Sequence, residues 1–280
     1  MMPVPRLGVA GAALLGLILQ PANAYTVLSP GASVAGKSIT EWTADWWTWG
    51  MQAPFVANPL LDATGAFANQ SNNGPVFFIG GNFTPNAVIT RNFTVPAGTP
   101  ILLPMLNVFD VEPPITPPSV VTLDDRKTAA DAVVQAWLGA VIKNSLFASI
   151  DGNAVAIPAD YLAVTGLFDM GPTQAASLLE NFGLSAGTDT FPTKSGGYWL
   201  MIDGLTAGVH EFHFGGAING FDAITGTPIG TEHLDAFSTD TTDFITVVAA
   251  PEPGSAFLLL AGFGGLLWYC RRPSTTVSAS

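Results

Sequence analysis

Cysteine is all but missing from this chain: there is one in 280 residues, Cys270, inside an apolar run near the C-terminus. The region upstream of it therefore has no internal disulfide, and thiolate zinc sites, iron–sulfur clusters and cysteine nucleophiles are excluded from it. Charge is scarce as well. Charged residues make up 11% of the chain, against about a quarter in ordinary globular domains. The basic ones are rarest, nine Lys and Arg against 21 Asp and Glu, for a net charge of −12. Between Tyr25 and Ala250 those counts are six and twenty, so no basic face is offered to nucleic acid or to an anionic membrane surface. There is no G-x-S-x-G elbow, no glycine-rich phosphate loop and only three histidines, which removes the sequence support for serine catalysis and for nucleotide binding.

What is present is concentrated at the two ends. Arg6 is followed by an apolar core at residues 7–19 and by the small-x-small run Ala22-Asn23-Ala24. That order reads as a signal peptide, residues 1–24, removed just before Tyr25. An uncleaved anchor is the alternative, but the thirteen-residue core falls short of the ~20 needed to span a bilayer. At the other end stand Pro251-Glu252-Pro253, an apolar run at 256–269, and Arg271-Arg272. The sixteen residues 255–270 lie just under the usual minimum of about 17 for a span. Gly262, Gly264 and Gly265 each weaken a helix there by up to ~1 kcal/mol. A weak helix suits a transient anchor, and the arginines would stay in the cytoplasm, leaving everything before them outside.

This proline–glutamate–proline, hydrophobic helix and basic pair resemble the PEP-CTERM class of exported bacterial proteins. The resemblance covers roughly the last tenth of the chain, at 249–274, with 275–280 as a tail. It implies Pro251, Glu252, Pro253, Arg271 and Arg272 as the sorting motif and an exosortase-type membrane protease as partner. It also implies export across the inner membrane, brief anchoring there, and delivery to the cell surface or extracellular matrix. An ordinary single-pass tail anchor is the other reading of the same run.

The roughly 225 residues between the terminal segments fit one domain able to bury about 70% of its unfolded surface. Ser38-Ile39-Thr40-Glu41 has the form of a capping box and opens a helix expected over 39–52, stopped by Pro54. A second helix is expected over 125–143, capped by Asp124 or Asp125, its stripe from Ala130 to Ile142 facing a sheet. A third is expected near 173–182. Strands are expected at 74–81, 88–95 and 101–108, with a Pro-Gly turn between the last two. Residues 146–150 and 154–157 read as a hairpin about Asp151-Gly152-Asn153, and 198–202 and 209–214 as a second hairpin pair. A last strand follows at 244–248. Short strands without alternating helices predict a mainly β domain with inserted helices over 25–248. The expected form is an antiparallel β-sandwich or jelly roll, flanked by the N-terminal signal helix and the C-terminal hydrophobic helix. Within it, the runs at 42–49, 58–62, 74–78, 95–98 and 208–216 resemble an uncharacterised group of secreted bacterial proteins, which implies one exported domain and supplies no reaction.

Candidate chemistry is sparse. Trp42, Trp46 and Trp49 fall on one helical face beside Asp45, a row that could stack on sugar rings while the carboxylate accepts hydroxyl hydrogen bonds. Large apolar residues at this spacing equally form a core face. Trp47 lies off that face and is the expected surface contact. On the strand at 209–214, His210 and His213 point to opposite faces, so they cannot chelate one ion together. Glu211 and His213 share a face that Glu232 or His233 could join, but catalytic zinc wants three protein ligands. Neither a metal nor any other cofactor is expected. Asp110, Glu112, Asp203 and Glu211 are possible members of a carboxylate pair for glycoside hydrolysis. Asp235, Asp240 and Asp243 lie in a Thr-rich segment without a calcium-loop pattern. The reading that follows is a non-catalytic domain binding polysaccharide or matrix proteins, with a secreted glycan hydrolase and a surface spacer as alternatives.

Overall fold

The computed structural model describes residues 25–114, 121–157, 159–219 and 237–249. A short strand β1 (Thr26–Val27) and a two-stranded ribbon, β2 (Ser33–Val34) and β3 (Lys37–Ser38), lead into the first helix. The Ser38 hydroxyl accepts from Glu41 N, and the Glu41 carboxylate accepts from Ser38 N in return. This capping box starts α1 (Ile39–Gln52) at the expected residue, and Ala53, in extended conformation before Pro54, ends it. Then come β4 (Phe77–Phe78), β5 (Ala87–Pro96), β6 (Ile101–Val111) and α2 (Leu123–Ala140). Thr122 caps α2, with Asp125 as the returning partner; neither Asp124 nor Asp125 is the cap itself. The chain continues through β7 (Phe147–Ile150), β8 (Asn153–Ala154), β9 (Leu162–Val164), the single-turn α3 (Leu178–Asn181), β10 (Thr193–Asp203), β11 (Gly208–Ile218) and β12 (Phe237–Val248).

The described residues are mainly β with three α-helices. One sheet runs β1-β10-β6-β4, with β9 also on β10; the other runs β5-β12-β11-β7-β8. A shared apolar core lies between them, built from Ile101, Leu103, Tyr198 and Leu200 on one side and Phe93, Phe212, Phe214 and Ile245 on the other. The expectation of wholly antiparallel pairing is corrected in two places, since β12 pairs with β5 and β4 with β6 in parallel. The Asp151-Gly152 turn joins β7 and β8 as a hairpin, both turn residues at positive φ. By contrast β10 and β11 are not a hairpin: they belong to different sheets, and the connection carries buried Leu205 across the core.

The middle of the first sheet is buried on both faces, so β10 reads as an unbroken buried run from Ser195 to Ile202 rather than alternating. Its outer face, with Trp199, Met201 and Leu102, meets α1 and α3 in a second core. Helix α2 lies on the inner face beside the second sheet, where Val134 and Leu138 approach Gly196.

Candidate functional site

Helix α1 wedges three indoles into the protein. Trp42, Trp46 and Trp47 are all buried, which corrects the expectation that Trp47 is a surface contact and takes Trp42 from the candidate sugar platform. Trp47 packs at 4.4 Å on Phe109 and 6.0 Å from Phe83. Trp46 meets Trp47 and Trp199 edge-on at 4.9 and 5.1 Å. The physical reason is that the middle of the buried arc is small: Thr43 and Gly50 face inward, and Gly50 lies flush on Leu60. Indoles therefore flank the arc on both sides.

What α1 leaves exposed is an open cleft of about 450 Å³, lined by Asp45, Thr48, Trp49, Gln52, Ala53, Pro54 and Ser71. Asp45, Thr48, Trp49 and Gln52 stand at i, i+3, i+4 and i+7 and so share one helical face. Half-buried Trp49 donates its indole N–H to Gln70 O at 2.8 Å, leaving ring surface toward the cleft. Gln52 is pinned between the carbonyls of Met170, Gly171 and Pro172 and the amide of Gln174, which fixes the far wall. Asp45 forms an ion pair with Lys37, whose ammonium also lies 5.0 Å from the Trp42 ring. Thr48, Gln52 and Ser71 were not singled out from the sequence; the first two could have been found by following the polar side of the helix from Asp45.

The β11 candidates separate as strand geometry requires. His210 is buried and clamped, Nδ1 at 2.8 Å from an Asp151 carboxylate oxygen and Nε2 at 2.9 Å from Thr206 O. Held from both sides, the imidazole locks the β7–β8 turn onto β11. Glu211 and His213 share the outer face, but His213 turns to Asp240 at 2.9 Å, its ring 4.8 Å from Phe147. Among the described residues no three of His, Cys, Asp and Glu gather closely enough to hold a metal ion. Glu232, His233 and Asp235 lie outside the described residues, as do Ala22, Ala24, Pro251, Glu252, Pro253, Arg271 and Arg272. Tyr25 lies inside them, packed on the core with its hydroxyl near Ile150 O.

Of the four carboxylates considered for glycoside hydrolysis, Asp110 and Glu112 come together. Burial, then the charge of Glu112 and the hydrogen bond the two share, push the Asp110 carboxyl up to about 7. Asp203 accepts from Gly204 N, and Glu211 is exposed on the other sheet. Asp243 is neither free nor a calcium ligand. Both its oxygens are held at 2.7 Å by Arg91, which also donates to Gly80 O. No protein family, curated protein or solved structure matches the chain.

Proposed function

We propose that this chain is an exported protein of the cell surface or extracellular matrix whose jelly-roll-like sandwich domain binds polysaccharide without altering it. The observation that carries the binding reading is the open α1 cleft, where an aromatic ring, a carboxylate and a hydroxyl stand in one row. Sugars offer such a row axial C–H faces for the ring and hydroxyls for the polar groups, the pairing of apolar body and polar edge that tryptophan sites exploit. The export reading rests on the terminal segments and their resemblance to the sorted class, with an exosortase-type membrane protease as the handling partner.

Two measurements test the pair of claims separately. Mass spectrometry of secreted and membrane fractions should find a product that begins at Tyr25 and ends near Pro251. A full-length molecule, soluble in the cytoplasm with both ends intact, would sink the export reading. For the domain, retention on cell-derived polysaccharide should fall roughly tenfold on Trp49→Ala, the scale of one lost aromatic contact, and also fall on Asp45→Ala. Failure of the unaltered protein to be retained on any such polysaccharide leaves the spacer role instead.

A further inference from the structure

A second cavity, of about 340 Å³, opens on the opposite flank of α1 and shares no lining residue with the cleft. It exists because β4 pairs with β6 only at Ile101 and Leu102. Six consecutive β6 residues, 104–109, line it. Since alternate residues of a strand face opposite ways, such a run is possible only along a strand edge. The inner stripe of β12 forms the other wall with Thr239 and Thr241, and the Trp47 indole closes the end toward α1. Half-buried Phe83, Asn107 and Phe237 bring the space to the surface.

Two polar atoms in this lining stand out. The Trp47 indole N–H and the Thr241 hydroxyl are buried without a hydrogen-bond partner among the described residues, on side chains only 2% and 0% exposed. The Trp199 indole N–H, outside this lining, is likewise buried without a partner among the described residues, but other neighbours are treated differently. Trp42, Trp46 and Trp49 each donate to a backbone carbonyl, and Thr239 reaches Met105 O. A buried donor without a partner carries its full desolvation penalty, so a phenylalanine and a valine would suit a merely structural wall better. No ionisable side chain lines the cavity, and the buried Arg91 guanidinium is committed to Asp243. A charged guest would enter uncompensated. Benzene fills an apolar cavity of ~150 Å³, so this one suits a guest on the order of a dozen non-hydrogen atoms.

We propose that this cavity binds a small uncharged molecule, mostly hydrocarbon and carrying one oxygen, which is held by the Trp47 indole N–H and the Thr241 hydroxyl. Alcohols, ketones and phenols of two-ring or medium-chain size have this chemistry. The site is independent of polysaccharide binding at the α1 cleft.

Calorimetric titration of the full-length protein with naphthalene, 2-naphthol and 2-naphthoate tests it. The expected result is saturable binding of one equivalent, with 2-naphthol about 3- to 10-fold tighter than naphthalene, the scale of one net hydrogen bond. The charged 2-naphthoate should bind at least ~100-fold more weakly than 2-naphthol. Thr241→Val and Trp47→Phe, both close in shape, should each reduce the preference for 2-naphthol while leaving naphthalene affinity in place. Val108→Trp, at the half-buried rim, should abolish binding of all three. The unaltered protein alone can overturn the proposal, by binding none of the probes saturably or by binding all three equally. A folded Thr241→Val variant that keeps the full preference would overturn it too.

Discussion

Asp110 shows how a single side chain can set the pH response of this domain. It stands directly across the β6–β10 ladder from Lys194, a position where a strand pair would ordinarily join opposite charges. The lysine turns instead to Asp131 on α2. Asp110 is left half-buried beside Glu112, and burial followed by that neighbouring charge raises it to about 7. The folded state thus holds a proton that the unfolded chain, with its ordinary value of 3.8, releases much earlier. Stability from this group is complete below about 4, is lost as pH rises toward about 7, and is flat above. Asp62 acts in the opposite sense. Burial alone would raise it, but hydrogen bonds from Phe67 N, from the hydroxyl and amide of Thr64, and from Gly65 N outweigh that and hold it below the usual range. Its contribution is present above the ordinary carboxylate value and fades as pH falls below it, outside the Asp110 window. Asp110→Asn keeps the shape and removes the titration. Urea midpoints at pH 4.5, 6 and 8 should therefore fall less steeply for the variant, which should be the more stable protein at pH 8. Parallel curves for the two proteins would refute this assignment.

At the scale of elements, glycine decides where strands and helices can approach. In β11, Gly215 sits so close to β12 that an added Cβ would lie 2.0 Å from Thr239 O. That oxygen belongs to the backbone of the paired strand and cannot move without breaking the ladder. Gly215→Ala should cost at least ~2 kcal/mol in denaturant unfolding, the upper range for overpacked cores. Gly139, on α2, meets nothing within 4 Å, so Gly139→Ala should instead add up to ~1 kcal/mol through helix propensity. The same reasoning explains what the sequence disclosed. Local hydrogen-bonding signals were legible: the Ser38–Glu41 box placed α1 to the residue, and Asp151-Gly152 placed the β7–β8 turn. Trp47 was misjudged because a search for large apolar side chains centres the buried arc on Trp42, Trp46 and Trp49. Successive helical residues step about 100°, and small Thr43 and Gly50 shift the true centre toward Trp47. Alternation could not show that β10 and β11 part company, because strands read alike whether the next one pairs beside them or crosses to the facing sheet. The cleft was half legible, through Asp45 and the tryptophan row, whereas the edge cavity depends on the brevity of β4, which its apolar sequence conceals.

For the whole molecule, the decisive fact is the place of the last strand. β12 is the final element in the described chain yet lies inside its sheet, between β5 and β11, antiparallel to one and parallel to the other. Its Asp243 supplies the buried partner of Arg91, 152 residues earlier. Every inward residue of β5 from Ile89 to Val95 stands beside a β12 residue in register. Removing this strand would expose two sheet edges and leave Arg91 as a buried charge without its counter-ion, a loss of about 3–5 kcal/mol by itself, comparable to much of a domain's net stability. A chain stopped after residue 236 should therefore fail to fold, with no cooperative thermal transition and fast amide exchange throughout both sheets. A chain stopped after residue 249 keeps every described contact and should melt within a few degrees of the full-length protein. This contrast bears on export, because the strand that completes the fold ends at Val248, three residues upstream of Pro251. Under the proposed sorting route, the domain can close only once residues up to 248 have crossed the membrane, so a protease acting near Pro251 would meet a finished fold. Trimming there should leave the melting temperature unchanged, while cleavage inside β12 should unfold the product.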